Sequence, residues 1–219
     1  QYGWGTYNFS NHIMTGDKVF ILKTVNGDYY KTWMQSRIGG EWTYRYATLD
    51  NSFDTTLVIN SSTYTDQNFV YYDMDAKAVE IDREPIKTDW DMQFTRMSLP
   101  FPVGQKTTTV FINEGISVLE VSDLPSDEAT YNEALATDTN KNIVGDDWKF
   151  FDAQGPNPTF QFLLTDSLSW FVKSFNGDVY HLTFTELEGQ ATGKIHFTTE
   201  KVASATVAIN EIENIDFQG

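Results

Sequence analysis

The chain has 219 residues, with 31 acidic and 15 basic side chains, a formal net charge of −16 and no cysteine. A negative field of this size repels phosphate backbones and argues against nucleic acid as a partner. The lack of cysteine excludes a disulfide framework and cysteine-based metal sites. No apolar run approaches the roughly 18 residues of a membrane-spanning helix, so we expect no transmembrane segment.

The first element predicted along the chain is a β-hairpin over residues 13–30, and it recurs over residues 163–180. The two stretches align without a gap at a constant offset of 150 residues (163 − 13). Each holds an Asn-Gly pair between alternating apolar runs, which predicts a two-residue type I′ turn. A leading strand and a following strand extend the repeat to residues 4–48 and 148–199, so each copy is a predicted β-meander.

The predicted turn decides which side chains face each other across each hairpin. Centring the second turn on its Asn-Gly pair places Phe171 opposite Leu182 and Lys173 opposite Tyr180. For Lys173 and its counterpart Lys23, a snorkelling side chain with its stem on a tyrosine ring is favoured over a buried ion pair. The side chains predicted to lie on the core face are Phe171, Phe175, Tyr180, Leu182 and Phe184 in the second copy and Ile21, Val25, Tyr30 and Met34 in the first.

One short helix is predicted near residues 126–136, because Ser126 can cap it and Asp127 and Glu128 suit its first turn. We therefore predict an all-β fold of antiparallel β-sheets, built from the duplicated hairpin and meander unit with this one helix, in a single domain over residues 1–219. Further short strands are predicted at residues 55–60, 68–72, 78–81, 90–97, 107–121 and 205–209.

The sequence contains no motif of an enzyme. It has no cysteine nucleophile, no G-x-S-x-G motif and no G-x-x-x-x-G-K loop, and its paired carboxylates stand in no diagnostic arrangement. His181 and His196 correspond to basic positions in the other copy, which favours solvent-facing side chains. His12 precedes the first hairpin, and a structural position at the rim of the fold is favoured for its side chain over a role as a ligand.

One loop has an alternation of oxygen-bearing side chains that resembles the start of a calcium loop. Asp138, Asn140 and Asn142 occupy alternate positions, but Ile143 stands at the sixth place, where a turn glycine is required, and a terminal bidentate glutamate is absent. A solvated loop is therefore favoured over a calcium site.

Three segments in order carry a family resemblance: the run from Asp89 to Met92 followed by Arg96, the segment 147–151, and the hairpin 180–193. With these segments the chain resembles the HmuY family, the haem-binding envelope proteins of Bacteroidetes. The likeness covers about residues 85–205, and the preceding residues look like an added copy of the terminal meander. The resemblance implies an all-β fold, a secreted or outer-membrane-anchored location, and haem capture without catalysis.

Founding members of the family clamp the haem iron with two axial histidines or methionines on two loops. The corresponding places here, residues 152–154 and about 122–142, contain neither residue type. Met97, His12 and Met14 are the substitutes that the sequence offers. The alternative is an interaction module of the same fold that binds a protein, peptide or glycan through exposed aromatic side chains.

Overall fold

The structure is a computed structural model, and it describes residues 3–98, 105–154, 159–189 and 192–205. Within these residues the fold is all-β, as predicted: antiparallel sheets and hairpins account for the regular structure, with two short 3-10 turns. No helix of this part of the chain has the length and apolar character to span a membrane. The chain forms two compact units, one ending at Asp89 and one beginning at Trp90. The single domain expected from the sequence stays a prediction. Each unit holds one copy of the repeat.

The first unit is a six-stranded antiparallel sheet followed by a two-stranded hairpin. Its strands are β1 Gly5–Asn8, β2 Ile13–Gly16, β3 Phe20–Lys23, β4 Tyr29–Ile38, β5 Glu41–Thr48, β6 Asp54–Asn60, β7 Tyr71–Asp73 and β8 Ala78–Glu80. The sheet order is β1-β2-β4-β5-β6, and β3 pairs with the part of β4 that β2 leaves free. The hairpin β7–β8 lies between 3-10 turns at Ser61–Thr63 and Ile81–Arg83.

The second unit contains a four-stranded sheet and two hairpins. Its strands are β9 Met92–Ser98, β10 Lys106–Ile112, β11 Ser117–Ser122, β12 Lys149–Phe151, β13 Phe162–Leu164, β14 Leu168–Lys173, β15 Val179–Leu187 and β16 Ile195–Ala203. The four-stranded sheet has the order β11-β14-β15-β16, while β9 pairs with β10 and β12 pairs with β13.

The core of the second unit forms around Trp148, whose ring stacks on Phe184 with the ring centroids 4.3 Å apart. Trp170 meets the same phenylalanine edge-on and donates its indole N–H to Glu120 at 3.1 Å. Burial raises the pKa of the Glu120 carboxyl, and the tryptophan N–H opposes that shift. The other buried members of this core are Val110, Ile112, Ile116, Val118, Val144, Val172 and Leu182.

Both Asn-Gly turns differ from the prediction by one residue. In the second copy, Ser174 donates its N–H to the Asp178 carbonyl, and Gly177 donates its N–H to the Ser174 carbonyl. Gly177 has a φ of +84°, whereas Asn176 is not among the residues with positive φ. This is a three-residue loop, in which a type I turn is followed by a left-handed glycine, and not the predicted type I′ turn. The first copy repeats the pattern with Thr24, Gly27 and Asp28.

The extra loop residue changes the cross-strand partners of the second hairpin. Phe171 lies opposite His181 and not Leu182, and Lys173 lies opposite Val179 and not Tyr180. Because side chains alternate along a strand, Phe171 belongs to the face opposite the Trp148 core. His181, predicted to face solvent, is half-buried with its ring stacked on Phe171, and burial lowers the pKa of its imidazole.

The two lysines and the first hairpin also depart from the predicted core face. Lys173 pairs with Glu133 at 2.6 Å, and Val179, not a tyrosine, lies opposite it on the neighbouring strand. The Lys23 ammonium lies 5.4 Å from the ring centroid of Tyr29, one residue from the tyrosine expected. In the first copy Tyr30 is buried as predicted, Met34 is half-buried, and Ile21 and Val25 are exposed, which contradicts their assignment to the core.

The helix predicted near residues 126–136 is wrong, because this segment forms two separate turns. Pro125 accepts the N–H of Glu128, and the Asn132 carbonyl accepts the N–H of Leu135. Tyr131, between the turns, packs against Phe171, and Glu133, in the second turn, pairs with Lys173. A segment of this length is a marginal helix without a packed apolar face, and these tertiary contacts replace it.

Most of the short strands lie where the sequence predicts them. Residues 55–60, 78–81 and 90–97 contain β6, β8 and β9, and residues 107–121 contain most of β10 and β11. Residues 68–72 contain only the start of β7. The strand predicted at 205–209 lies outside the described residues except for its first position, which is in no strand.

The turn glycines give a test of the loop geometry. Gly27→Ala is expected to cost about 1–2 kcal/mol, because a Cβ disfavours the left-handed backbone, and Gly27→Asn is expected to cost less. Gly177→Ala should cost more than Gly27→Ala, because its Cβ would lie 3.0 Å from that of Ala205, whereas at position 27 the nearest atom is 4.0 Å away. Urea unfolding measures the three free energies. Equal stability of Gly27→Ala and wild type would contradict the turn assignment.

Candidate ligand-binding cavity

A cavity of the first unit lies between the six-stranded sheet and the segment 61–74, and it has a volume of about 580 Å³. Ligand sites in proteins commonly have volumes of roughly 300–1,000 Å³. The sheet contributes Leu22, Met34, Arg37, Trp42, Tyr44, Ile59 and the adjoining Ser61, and the covering segment contributes Asn68, Phe69, Val70, Tyr72 and Met74.

A β-bulge in β4 brings Met34 and Arg37 to the same cavity. Met34 lies opposite Tyr44, and Arg37 lies opposite Trp42, with a register shift between Met34 and Ser36. Residues three apart on a regular strand point to opposite faces, because the side-chain period is two. The extra residue of the bulge turns the side chains of Met34 and Arg37 to the same face of the sheet, and bulges commonly redirect a side chain towards a site in this way.

Tyrosine hydroxyls attach the β7–β8 segment to the sheet. The Tyr46 and Tyr72 hydroxyls lie 3.1 Å apart, and Tyr44 donates its hydroxyl to the Met74 sulfur at 3.8 Å. Burial raises the pKa of both sheet tyrosines, so their hydroxyls are neutral at ordinary pH. The β7–β8 turn is held as well, because Asn26 donates its amide N–H to Asp75 at 2.9 Å.

Glu84 organises the loop that closes the other side of the cavity. Its carboxylate accepts the backbone N–H groups of Asn68 and Phe69 and the hydroxyl of Tyr71 at 3.3 Å. Charge-assisted hydrogen bonds of this kind are stronger than neutral ones. The loop therefore holds Phe69 in the cavity wall although it has no regular secondary structure.

The lining combines aromatic rings, two thioethers and one positive charge. The Arg37 guanidinium carbon lies 5.0 Å from the Trp42 ring centroid, in the range of a cation–π contact. Among the described residues Arg37 forms no salt bridge within 4.0 Å of a carboxylate. Ser61 donates its hydroxyl to the Gly40 carbonyl at 2.9 Å. The charge available to a ligand is therefore the guanidinium.

A second, more polar cavity of about 470 Å³ shares Tyr72 and Met74 with the first. It is lined on one side by the first hairpin turn, residues 23–26, and on the other by charged side chains of β7, β8 and their surroundings. Asp73, one of these, accepts the backbone N–H groups of residues 75 and 76, and these bonds lower its pKa.

His12 and Met14, two of the predicted haem ligands, line a small pocket of about 190 Å³ in the first unit. The Tyr7 hydroxyl lies 2.6 Å from Nδ1 of His12, and Met14 is 2% exposed and packed in the sheet. Met97, the third candidate, lies in β9 of the second unit, opposite Thr107. The structure places the first two beside one another, in a pocket below the usual size of a ligand site.

In the candidate calcium loop, the side-chain oxygens that could bind the ion already accept hydrogen bonds within the protein. Asp138 accepts the N–H of Asn140, Asn140 accepts the N–H of Asn142, and Asn142 accepts the hydroxyl of Thr109. No group of three histidine or acidic side chains suited to a metal occurs in the described part of the chain. The calcium site stays a prediction, and the turns give these oxygens a structural role.

Sequence reasoning missed the cavity, although it places one of the lining residues, Met34, on the core face of the first hairpin. It assigns no role to Arg37, Trp42 or Phe69. The only signal in the sequence was the density of aromatic residues in the first 90 positions. The covering segment meets the sheet through contacts about 26–49 residues apart in sequence, which no local pattern specifies.

Comparison of the chain with family models, with curated proteins and with solved structures finds no match in any of the three. The resemblance to the HmuY family therefore stays a prediction, and the function has to be argued from the geometry of the cavity.

The hydrogen bond between the Tyr46 and Tyr72 hydroxyls is expected to hold the β7–β8 hairpin over the cavity. Tyr46→Phe removes one hydroxyl from a partly buried pair, which is expected to cost about 0.5–1.5 kcal/mol and to speed amide exchange in β7 and β8 more than in β5. Tyr29→Phe is the matched control, since this ring is 48% exposed. Hydrogen exchange read by mass spectrometry distinguishes the two variants. Unchanged exchange in β7–β8 of Tyr46→Phe would show that the hydroxyl pair does not hold the cover.

Proposed function

We propose that the chain is a non-catalytic binding protein of the cell envelope, secreted or anchored at the outer membrane, which holds a small ligand in the aromatic cavity of the first unit. The observation that carries this proposal is the cavity of about 580 Å³, walled by Trp42, Tyr44, Phe69 and Tyr72. Its lining offers rings, thioethers and a guanidinium, and not a nucleophile held by a base, which favours binding over catalysis.

The chemistry of the walls favours a flat, largely apolar ligand that carries an acidic group. Aromatic rings provide a large contact area at a low cost in side-chain entropy and stack well on planar groups. Arg37 lies against Trp42 at the same cavity, and guanidinium groups bind carboxylates in a bidentate manner. Because the chain carries a net charge of −16, an acidic ligand needs such a local positive group.

Haem is the ligand that the HmuY resemblance implies, and it belongs to this chemical class. Methionine thioethers serve as axial ligands to haem iron in other proteins, and Met34 and Met74 both line the cavity. These two methionines are therefore better candidates than Met97, His12 and Met14. The cavity lies outside residues 85–205, where the resemblance is found, so the ligand is argued from the cavity's own side chains.

A haemin titration followed by the Soret band tests the proposal. Wild type is expected to give a saturable red shift at one equivalent, and the double variant Met34→Leu/Met74→Leu is expected to lose it. Met92→Leu and Met97→Leu are matched controls, because Leu and Met have similar volumes and both residues lie in the second unit. Arg37→Gln should weaken binding about tenfold, the effect of losing one hydrogen bond to a charged group.

Two results would contradict the haem proposal. One is a wild-type spectrum that does not change with haemin. The other is a shift that survives in the double variant and disappears in Met97→Leu, because the site would then lie in the second unit.

A second candidate function is the interaction module, and exposed aromatic side chains of the second unit favour it. Phe150, Phe151 and Phe160 are 49%, 50% and 65% exposed on and beside the hairpin β12–β13. Phe151 also contacts Phe162 across the hairpin, with the ring centroids 5.2 Å apart. Exposed aromatic clusters are typical of protein-binding surfaces. Binding of a peptide or glycan that is lost in Phe151→Ser but kept in Arg37→Gln would support this function over the first.

A further inference from the structure

The third strand of the sheet in the first unit is exposed where its counterpart in the second unit is buried. At the repeat offset of 150 residues, β3 corresponds to residues 170–173 of β14. Phe20 and Ile21 are 42% and 55% exposed, while the corresponding Trp170 and Phe171 are 0% and 1% exposed. Equivalent apolar positions of the repeat thus differ sharply in burial.

The difference follows from strand pairing. β14 pairs with β15 on one edge and with the antiparallel strand β11 on the other. β3 pairs with β4 on the edge that corresponds to β15, and no strand lies on its other edge in the residues that the structure describes. The position that β11 fills in the second unit is therefore open in the first. Exposed apolar edges of this kind are templates for pairing with another chain.

The backbone of β3 has groups available for such pairing. Thr24 donates its N–H to Asp28 within the hairpin, so by strand alternation Leu22 and Phe20 direct their backbone groups towards β4. Ile21 and Lys23 direct theirs outwards. The free edge begins after Asp17, because the Asp17 N–H is already bonded to the Trp4 carbonyl at 3.2 Å.

We propose that β3 pairs antiparallel with β3 of a second copy of this chain, in a symmetric dimer centred on Ile21. A two-fold axis between antiparallel strands places one residue opposite itself. Centring on Ile21 places Phe20 opposite Leu22 of the partner and Val19 opposite Lys23 of the partner, all within the free edge. A dimer centred on Phe20 would place Lys23 opposite Asp17 of the partner, whose backbone N–H is already bonded to the Trp4 carbonyl.

Composition and charge select a second copy as the occupant. β11 occupies the equivalent position mainly with Val118, Leu119 and Val121, and β3 supplies a run of the same apolar character. Pairing covers both exposed strands at once. In this register Lys23 of each copy is the diagonal neighbour of Asp17 on the partner strand, within reach of a long side chain. No two like charges lie directly opposite each other. This local complementarity opposes the repulsion between two chains of net charge −16.

Sedimentation equilibrium tests the dimer with matched variants. Wild type is expected to pass from 25.0 kDa towards twice that mass as its concentration rises. Ile21→Lys should weaken association about tenfold or more, because two like charges would then face each other. Val58→Lys is the control, since Val58 lies on edge strand β6 with 58% exposure and should associate as wild type does. Thermal unfolding of both variants shows whether they fold.

Cross-linking tests the register independently, because the chain contains no cysteine. Residues directly opposite in an antiparallel pair have Cα atoms roughly 4.5–5.5 Å apart, within the range of a disulfide. Ile21→Cys is therefore expected to form a covalent dimer under mild oxidation much faster than Val58→Cys. Three results would overturn the proposal: a wild type that stays at 25.0 kDa at every concentration, association that survives in Ile21→Lys, or equal cross-linking of the two cysteine variants. The first of these would favour a strand from another protein as the partner of β3.

Discussion

The contact between the Tyr46 and Tyr72 hydroxyls is the interaction on which the candidate site depends. Tyr46 is almost fully buried in the sheet, and Tyr72 belongs to the short hairpin above it. A three-residue strand has little stability of its own, so β7 and β8 need tertiary contacts to stay in place. The hydroxyl pair, with the Tyr44–Met74 contact beside it, supplies them and leaves an aromatic space between sheet and hairpin.

The duplicated meander shows how one strand pattern gives two environments. Both copies turn through the same three-residue loop with a left-handed glycine, so the local geometry follows the sequence. The strand leading into each turn differs because of its neighbours: β14 lies between two strands, whereas β3 has one strand neighbour within the part of the chain that the structure describes. As a result the second copy forms a closed core around Trp148, while the first combines a cavity with an open edge.

The sequence was sufficient for the fold class, the repeat and most strand positions, because alternation and turn residues are local signals. It misplaced the register, since an Asn-Gly pair suits a two-residue loop as well as a three-residue one, and one extra residue moved Phe171 to the other face. It also predicted a helix at residues 126–136, where contacts of Tyr131 and Glu133 with β14 determine the backbone. The cavity could not be predicted, because it depends on a bulge near Gln35 and on a cover attached from distant positions.

The central claim is that the cavity of the first unit binds the ligand, and methionine methyl NMR tests it most directly. The five methionines serve as separate reporters: Met34 and Met74 line the cavity, Met14 lies in the small pocket nearby, and Met92 and Met97 lie in the second unit. On addition of haemin, the account predicts that the methyl signals of Met34 and Met74 shift or broaden while those of Met92 and Met97 stay in place. Perturbation of Met97 with Met34 and Met74 unchanged would contradict it.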